Sequence, residues 1–177
     1  ANVAAEAGRQ AGVPVVALWH GSRAAGIPTV TVNNRAGIDA VVDHLVGLGH
    51  RRIAFIIGTV GQSASGLRLA GFRAAMLDAG LEVRNDLIIQ GEFAYLSGFE
   101  AAGQLLDLES PPTAILASND DMAAGVIAMA HRHHIEVPAD LTVCGFDDTF
   151  LATTIWPAIT TIRQPIAEMS SLAIEIL

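Results

Sequence analysis

The chain has 177 residues, of which 51% are hydrophobic and 16% charged, enough apolar side chain for one domain or two small lobes and too little charge for a disordered tail. Its formal net charge of −8, from 10 Lys plus Arg against 18 Asp plus Glu, argues against DNA binding by this segment, because nucleic-acid affinity draws on neutralising phosphates. No apolar run reaches the roughly 18 residues a membrane span needs, and the single cysteine, Cys144, cannot form an internal disulfide, which points to a reducing, cytoplasmic setting.

The opening residues Ala1-Asn2-Val3-Ala4-Ala5-Glu6 carry no initiator Met and no basic flank, so they are read as a chain entered partway through and not as a signal peptide. Short, nearly continuous apolar runs follow at intervals, as expected of parallel strands buried on both faces. They predict strands at Pro14–Leu18, Thr29–Val32, Ile53–Ile57, Leu87–Gln90, Ala114–Ala117 and Leu141–Phe146. Between them, Ile38, Val41, Val42, Leu45 and Leu48 repeat at helical spacing, with Gly49 where a helix would end. A second helix carries Leu67, Ala70, Ala74 and Leu77 and stops at Gly80. A third spans Ser97 to Leu108 and ends before Ser110-Pro111-Pro112. A fourth runs from Asp120 or Asp121 to His133 with Asn119 as its N-cap, and Pro165 opens a last one that reaches Leu177. This alternation predicts a doubly wound α/β sheet with helices on both faces.

Ligands of open α/β sheets bind outside the carboxyl ends of the strands. At those ends the chain places Gly58-Thr59-Val60-Gly61-Gln62-Ser63-Ala64-Ser65, Gly91-Glu92-Phe93-Ala94-Tyr95, Ser118-Asn119-Asp120 and Asp147-Asp148-Thr149. Amides, carboxylates and hydroxyls can grip vicinal hydroxyls, and an aromatic face can stack on a sugar ring or a base. The pattern suits a pocket for a polar small molecule, a neutral carbohydrate first and a purine second.

Several motifs then follow in a fixed order. They are Gly49-His50-Arg51-Arg52-Ile53-Ala54-Phe55, Arg68-Leu69-Ala70-Gly71-Phe72, Pro112-Thr113-Ala114-Ile115, Ser118-Asn119-Asp120-Asp121-Met122-Ala123, Val137-Pro138, Gly145-Phe146-Asp147-Asp148 and Ile159-Thr160-Thr161-Ile162-Arg163-Gln164-Pro165. Singly each is weak, but in this order and spacing the chain, from roughly Ile27 onward, resembles the effector domain of the lac-repressor (LacI/GalR) family. The resemblance implies a periplasmic-binding-protein-like α/β fold: two Rossmann-like lobes of parallel sheet flanked by helices, with the effector between them and the first lobe incomplete. Residues 1–32 would be part of that N-terminal lobe, 33–162 the C-terminal lobe, and 163–177 a return segment and helix of the first. The family's DNA-binding helix-turn-helix is absent from the sequence.

The resemblance also implies a role: a sugar-sensing transcriptional repressor that acts as a homodimer and reaches operator DNA through its helix-turn-helix. Carried over by position, Arg68, Phe93, Asn119, Asp147 and Gln164 match effector contacts. Arg68 would offer a fork to ligand oxygens, Asn119 and Asp147 would bond hydroxyls, and Phe93 would form an apolar wall. Trp19 stands where several relatives have an acidic residue, and Asn33-Asn34 where many have Asp-Asn, so the effector side of the first lobe carries less negative charge. No cofactor, metal, membrane or catalytic role is expected. The alternative on the same fold is a periplasmic-type sugar-binding protein feeding a transporter.

Plainer readings compete with each of these. Arg68 suits a solvated helix face, Asn119 is explained as an N-cap, Asp147-Asp148 as a turn, and Phe93 and Tyr95 as packing. His131 and His134 share a face but lack Cys or acidic partners at ligand spacing, while Cys144 and the Met122, Val126 and Met129 stripe read as core. Gly61-Gln62-Ser63-Ala64-Ser65 lacks the glycine a nucleophile elbow needs after its serine, and no P-loop is present. A hydrolase would have to use Asp120 or Asp147.

Overall fold

The structure is a computed structural model that describes residues 7–8, 10–18 and 26–177. Its elements in chain order are β1 (Ala17–Leu18), β2 (Thr29–Val30), α1 (Asn34–Gly47), β3 (Ile53–Ile57), α2 (Ser63–Asp78) and β4 (Ile88–Gln90). They continue as α3 (Tyr95–Leu106), β5 (Ala114–Ala117), α4 (Asp120–Arg132), β6 (Thr142–Cys144), α5 (Phe150–Thr154) and α6 (Ile166–Ile176). The chain divides into two compact units, Asn34–Arg163 and a smaller one made of Ala1–Asn33 with Gln164–Leu177.

In the larger unit four parallel strands lie in the order β4-β3-β5-β6. The register pairs Ile53 with Ala114 and Ala114 with Thr142. Successive side chains on a strand point to opposite faces, and the core splits accordingly. Ala54, Ile56, Ile115 and Ala117 face the helices α3, α4 and α5, with Leu105, Met122 and Val126. Ile53, Phe55, Ala114, Leu116 and Cys144 face α1 and α2, where Phe55 stacks on Phe72 at 4.9 Å. A strand covered on both sides has no polar face to show, which is why these segments read as unbroken apolar runs. Burial pushes the Cys144 thiol up to about 12, so it is an inert core group.

The helices close where the sequence says they must. Gly49 takes φ 96° and the chain turns with His50 N–H donating to the Leu45 carbonyl and Gly49 N–H to that of Val46, both at 3.0 Å. This is the Schellman pattern. The fourth helix ends in the same way on a non-glycine residue, His134, at φ 58°.

The expected strands at Ile53–Ile57 and Ala114–Ala117 match the structure residue for residue, whereas others are shorter. The sixth stops at Cys144, because Gly145 leaves its neighbour and donates to the Thr160 carbonyl at 2.9 Å. Leu87 belongs to a 3-10 turn, Asn85–Leu87, ahead of β4. The helix α5 has no counterpart in the sequence reading: five residues, two of them Thr, are too few to show a period.

The smaller unit pairs β1 with β2 in parallel, and Met169 and Ala173 of α6 pack with Val30, Val16 and Val32. Only Ala17–Leu18 of the strand expected at Pro14–Leu18 is in the ladder.

Candidate functional site

Because every neighbour pair in the larger sheet is parallel, the carboxyl ends of all four strands lie on one edge. Arg68 is the hub of that edge. It belongs to the stripe Ala64, Ser65, Arg68, Gly71, Phe72, Ala75 that α2 turns toward the core, and only 2% of it is exposed. The solvated-face reading is therefore wrong for this residue.

The guanidinium serves three elements at once. Nε donates to Asn34 Oδ1 at 2.9 Å, Nη1 to the Ser118 carbonyl, and Nη2 to Asp147 Oδ1 at 3.2 Å. Its Cζ lies 3.7 Å from the centre of the Phe146 ring and 6.0 Å from that of Phe93, so a cation–π contact adds to the charge pairing. Burial lowers the Arg68 pKa, and the Asp147 charge and hydrogen bond act against that shift, with a smaller contribution from Asp120. An arginine stays charged under such opposition. The result is a buried ion pair whose acidic member keeps 26% of its side chain exposed.

Phe93 and Asn119 form the second part of the edge. Phe93 sits at φ 58°, a left-handed conformation that is strained for a bulky residue. Two contacts hold it there. Its ring fills the space over Gly58, where any Cβ would overlap it. Its carbonyl accepts a hydrogen bond from Asn119 Nδ2 at 3.0 Å. Asn119 Oδ1 meanwhile accepts from Met122 N–H at 3.0 Å, the N-cap bond expected of it, and Nδ2 lies 3.4 Å from Asp121 Oδ2. Capping and site-building are thus done by one amide.

Asp147 follows β6 at φ 116° and Asp148 follows at φ 57°. The Asp147 N–H donates to the Ile162 carbonyl at 2.8 Å, and Arg163 Nε donates to Asp148. The chain bends at Phe146, and the two positive-φ residues that follow turn the Asp147 carboxylate toward Arg68. Asp120, the other carboxylate of the hydrolase reading, has 0% exposure and both oxygens accept hydrogen bonds, which leaves it no reach to a substrate.

The structure thus brings Arg68, Phe93, Asn119 and Asp147 together. Gln164 belongs to the smaller unit, half-buried directly after Arg163. Trp19 lies outside the described residues. Tyr95 points outward at the start of α3, stacked 6.5 Å from Phe99. Sequence reasoning missed Phe146 and the role of Asn34, the partner of Arg68 Nε. The signal was available: an arginine on an otherwise apolar helical stripe must find acceptors inside the protein. Among the described residues no His, Cys, Asp and Glu side chains cluster as a metal site would, and no helix is long and apolar enough to cross a membrane.

Residues 42–177 match the family model of the periplasmic binding protein-like domain. The chain belongs to that family. It is similar to the catabolite control protein A of Priestia megaterium, 37% identical over 167 residues that make up 93% of this chain and 50% of that protein. It is also similar to the ribose operon repressor of Escherichia coli (strain K12), 40% identical over 82% of this chain and 44% of that protein. The solved regulatory protein of LacI family from Chloroflexus aggregans matches with a TM-score of 0.89 at 33% identity, over 97% of this chain and 62% of that one. The LacI/GalR resemblance read from the sequence is correct, and so is the periplasmic-binding-protein-like fold. The chain spans about half the length of the curated relatives it matches. These relatives are named as regulators, which favours the repressor reading over the transporter one.

Proposed function

We propose that this chain is part of the effector-sensing domain of a cytoplasmic transcriptional repressor, and that the Arg68–Asp147 corner grips a sugar-like molecule. We assign the larger unit to the family's second lobe and the smaller unit to part of its first, with Gln164 and Trp19 as the first lobe's effector contacts. The observation that carries the proposal is the buried ion pair itself. Arg68 and Asp147 neutralise one another, so the corner offers paired donors and acceptors with little net charge, the chemistry a neutral polyhydroxyl ligand takes. Phe93 supplies an apolar wall beside them. The Asn119–Asp121 contact, the longest the Asn119 amide makes, is the one a ligand oxygen replaces.

The site binds and does not turn over its ligand. Bound effector shifts the population between two states of the repressor, and operator affinity changes because the two states bind DNA differently. The working unit is a homodimer that contacts operator DNA through a helix-turn-helix outside this sequence. The test uses the full-length protein and the promoter fragment upstream of its own gene. Fluorescence anisotropy is read with and without each member of a panel of neutral mono- and disaccharides. At least one sugar changes the DNA affinity by tenfold or more, and sedimentation gives twice the chain mass. DNA affinity indifferent to every sugar that binds the protein contradicts the reading.

A further inference from the structure

The chain after β6 holds two consecutive non-glycine residues, Asp147 and Asp148, at positive φ. Positive φ is uncommon for any residue other than glycine, and two in succession more so, so surrounding structure must hold the turn in place. Backbone bonds account for part of this, from Gly145 N–H to the Thr160 carbonyl and from Asp147 N–H to that of Ile162. The rest converges on one side chain outside the turn.

Asp120 stands at the start of α4, completely buried. Its Oδ2 accepts from the Thr149 N–H at 2.7 Å and from the Thr149 hydroxyl at 3.1 Å. Its Oδ1 accepts from the Thr161 hydroxyl at 2.5 Å. With its proton committed to Asp120, the Thr161 oxygen presents a lone pair to the Asp148 N–H, 3.4 Å away. One carboxylate therefore fastens both sides of the turn: the residue that follows it, and the 160–163 segment that runs beside it. Gly145 passes directly beneath, where a Cβ would collide with the Asp120 carboxylate. A buried charge with three donors is satisfied, and charge-assisted hydrogen bonds are the strong kind.

We infer that Asp120 is a positioning residue: it holds the Asp147–Asp148 turn in its left-handed conformation and so sets the direction of the Asp147 carboxylate toward Arg68 and the effector. The inference rests on the proposed function for its ligand, but its structural half does not need a ligand at all. Asp120 itself touches no effector. Asparagine in its place keeps the shape, loses the charge and cannot accept all three donors. Valine at position 161 keeps the shape of threonine and loses the hydroxyl, while serine restores it.

The experiment uses the full-length protein, as wild type, Asp120→Asn, Thr161→Val and Thr161→Ser. Hydrogen exchange of the unliganded protein is followed at the Asp147, Asp148 and Thr149 amides, with Ile115 and Leu116 in β5 as the global reference. In Asp120→Asn and Thr161→Val the turn amides exchange about tenfold faster while the β5 amides do not, a factor that matches one lost hydrogen bond. Thr161→Ser behaves as wild type. Turn amides that keep their wild-type rates overturn the inference, and so does an equal acceleration in β5, which assigns Asp120 to general stability. Should Asp120→Asn fail to fold, Thr161→Val carries the same comparison.

The second arm titrates the sugar panel into Asp120→Asn, Asp147→Asn and the double variant. Asp120→Asn weakens the best-binding sugar about tenfold in the wild-type background and no further in Asp147→Asn, because it acts through that carboxylate. Additive losses overturn the inference. If no sugar binds the wild type, the proposed ligand class fails while the exchange arm still decides the role of Asp120.

Discussion

Arg68 has its three hydrogen-bonding partners and the Phe146 ring at contact distance, and the two members of its ion pair differ sharply in exposure. Removing the buried member leaves acceptors and a carboxylate unmatched, so Arg68→Ala should destabilise the protein by about 3–5 kcal/mol. Asp147 is partly solvated and asparagine still accepts a hydrogen bond, so Asp147→Asn should cost about 1–2 kcal/mol. Urea unfolding of both variants checks the asymmetry; equal losses would mean that the pair is not the main tie. Arg68→Lys should fall between them, since a single ammonium cannot reach three acceptors in one plane. Residue type alone could not rank these roles. The sequence contained the arginine, the amide and the carboxylates, but not the left-handed turns at Phe93 and Asp147 that aim them, because those depend on contacts distant in the chain.

Helices α3 and α4 meet through glycines. A Cβ at Gly98 would run into the backbone of Met122, and one at Gly125 into the Tyr95 carbonyl and the Phe99 N–H. In an exposed helix glycine to alanine stabilises by about 1 kcal/mol; here the sign should invert. Gly98→Ala and Gly125→Ala should each lower the unfolding free energy by about 1–3 kcal/mol, as read by denaturant titration, and a gain in either would mean that the helices can part freely. At the opposite end of the sheet His50 bridges two strands, with Nδ1 2.9 Å from the Thr113 hydroxyl and Nε2 2.9 Å from that of Thr142. Burial, and less so His44, holds its pKa below the ordinary 6.5. The unfolded chain then binds the proton first, so this contribution is complete above about pH 6.5 and is lost as pH falls toward the lower folded value. Thermal unfolding between pH 7.5 and 5 should therefore decline less steeply in His50→Gln than in wild type; parallel curves would assign the decline to other groups. At this scale the sequence was most legible. Strands buried on both faces and helices closed by Gly49 and Gly80 carry their signals locally, whereas α5 and the shortened β6 are set by the neighbouring 159–163 segment.

Across the whole chain, the net charge of −8 disfavours contact with DNA phosphates, and the function proposed above gives this acidic stretch the sensing task alone. Motif order made the family legible, because seven short motifs in a fixed sequence constrain far more than any one of them. The geometry of the proposed site was not legible, since it is built from side chains brought to one edge from five separate stretches: Asn34, Arg68, Phe93, Ser118-Asn119 and Phe146-Asp147. The central claim is that this edge binds a neutral sugar through Asp147. A thermal-shift titration of the full-length protein against neutral mono- and disaccharides, run in parallel on wild type and Asp147→Asn, tests it most directly, because a ligand that binds only the folded state raises its melting point by mass action. At least one sugar should raise the melting temperature of the wild type and raise that of Asp147→Asn by clearly less at the same concentration. A sugar that shifts both proteins equally, or a panel that shifts neither, would contradict it.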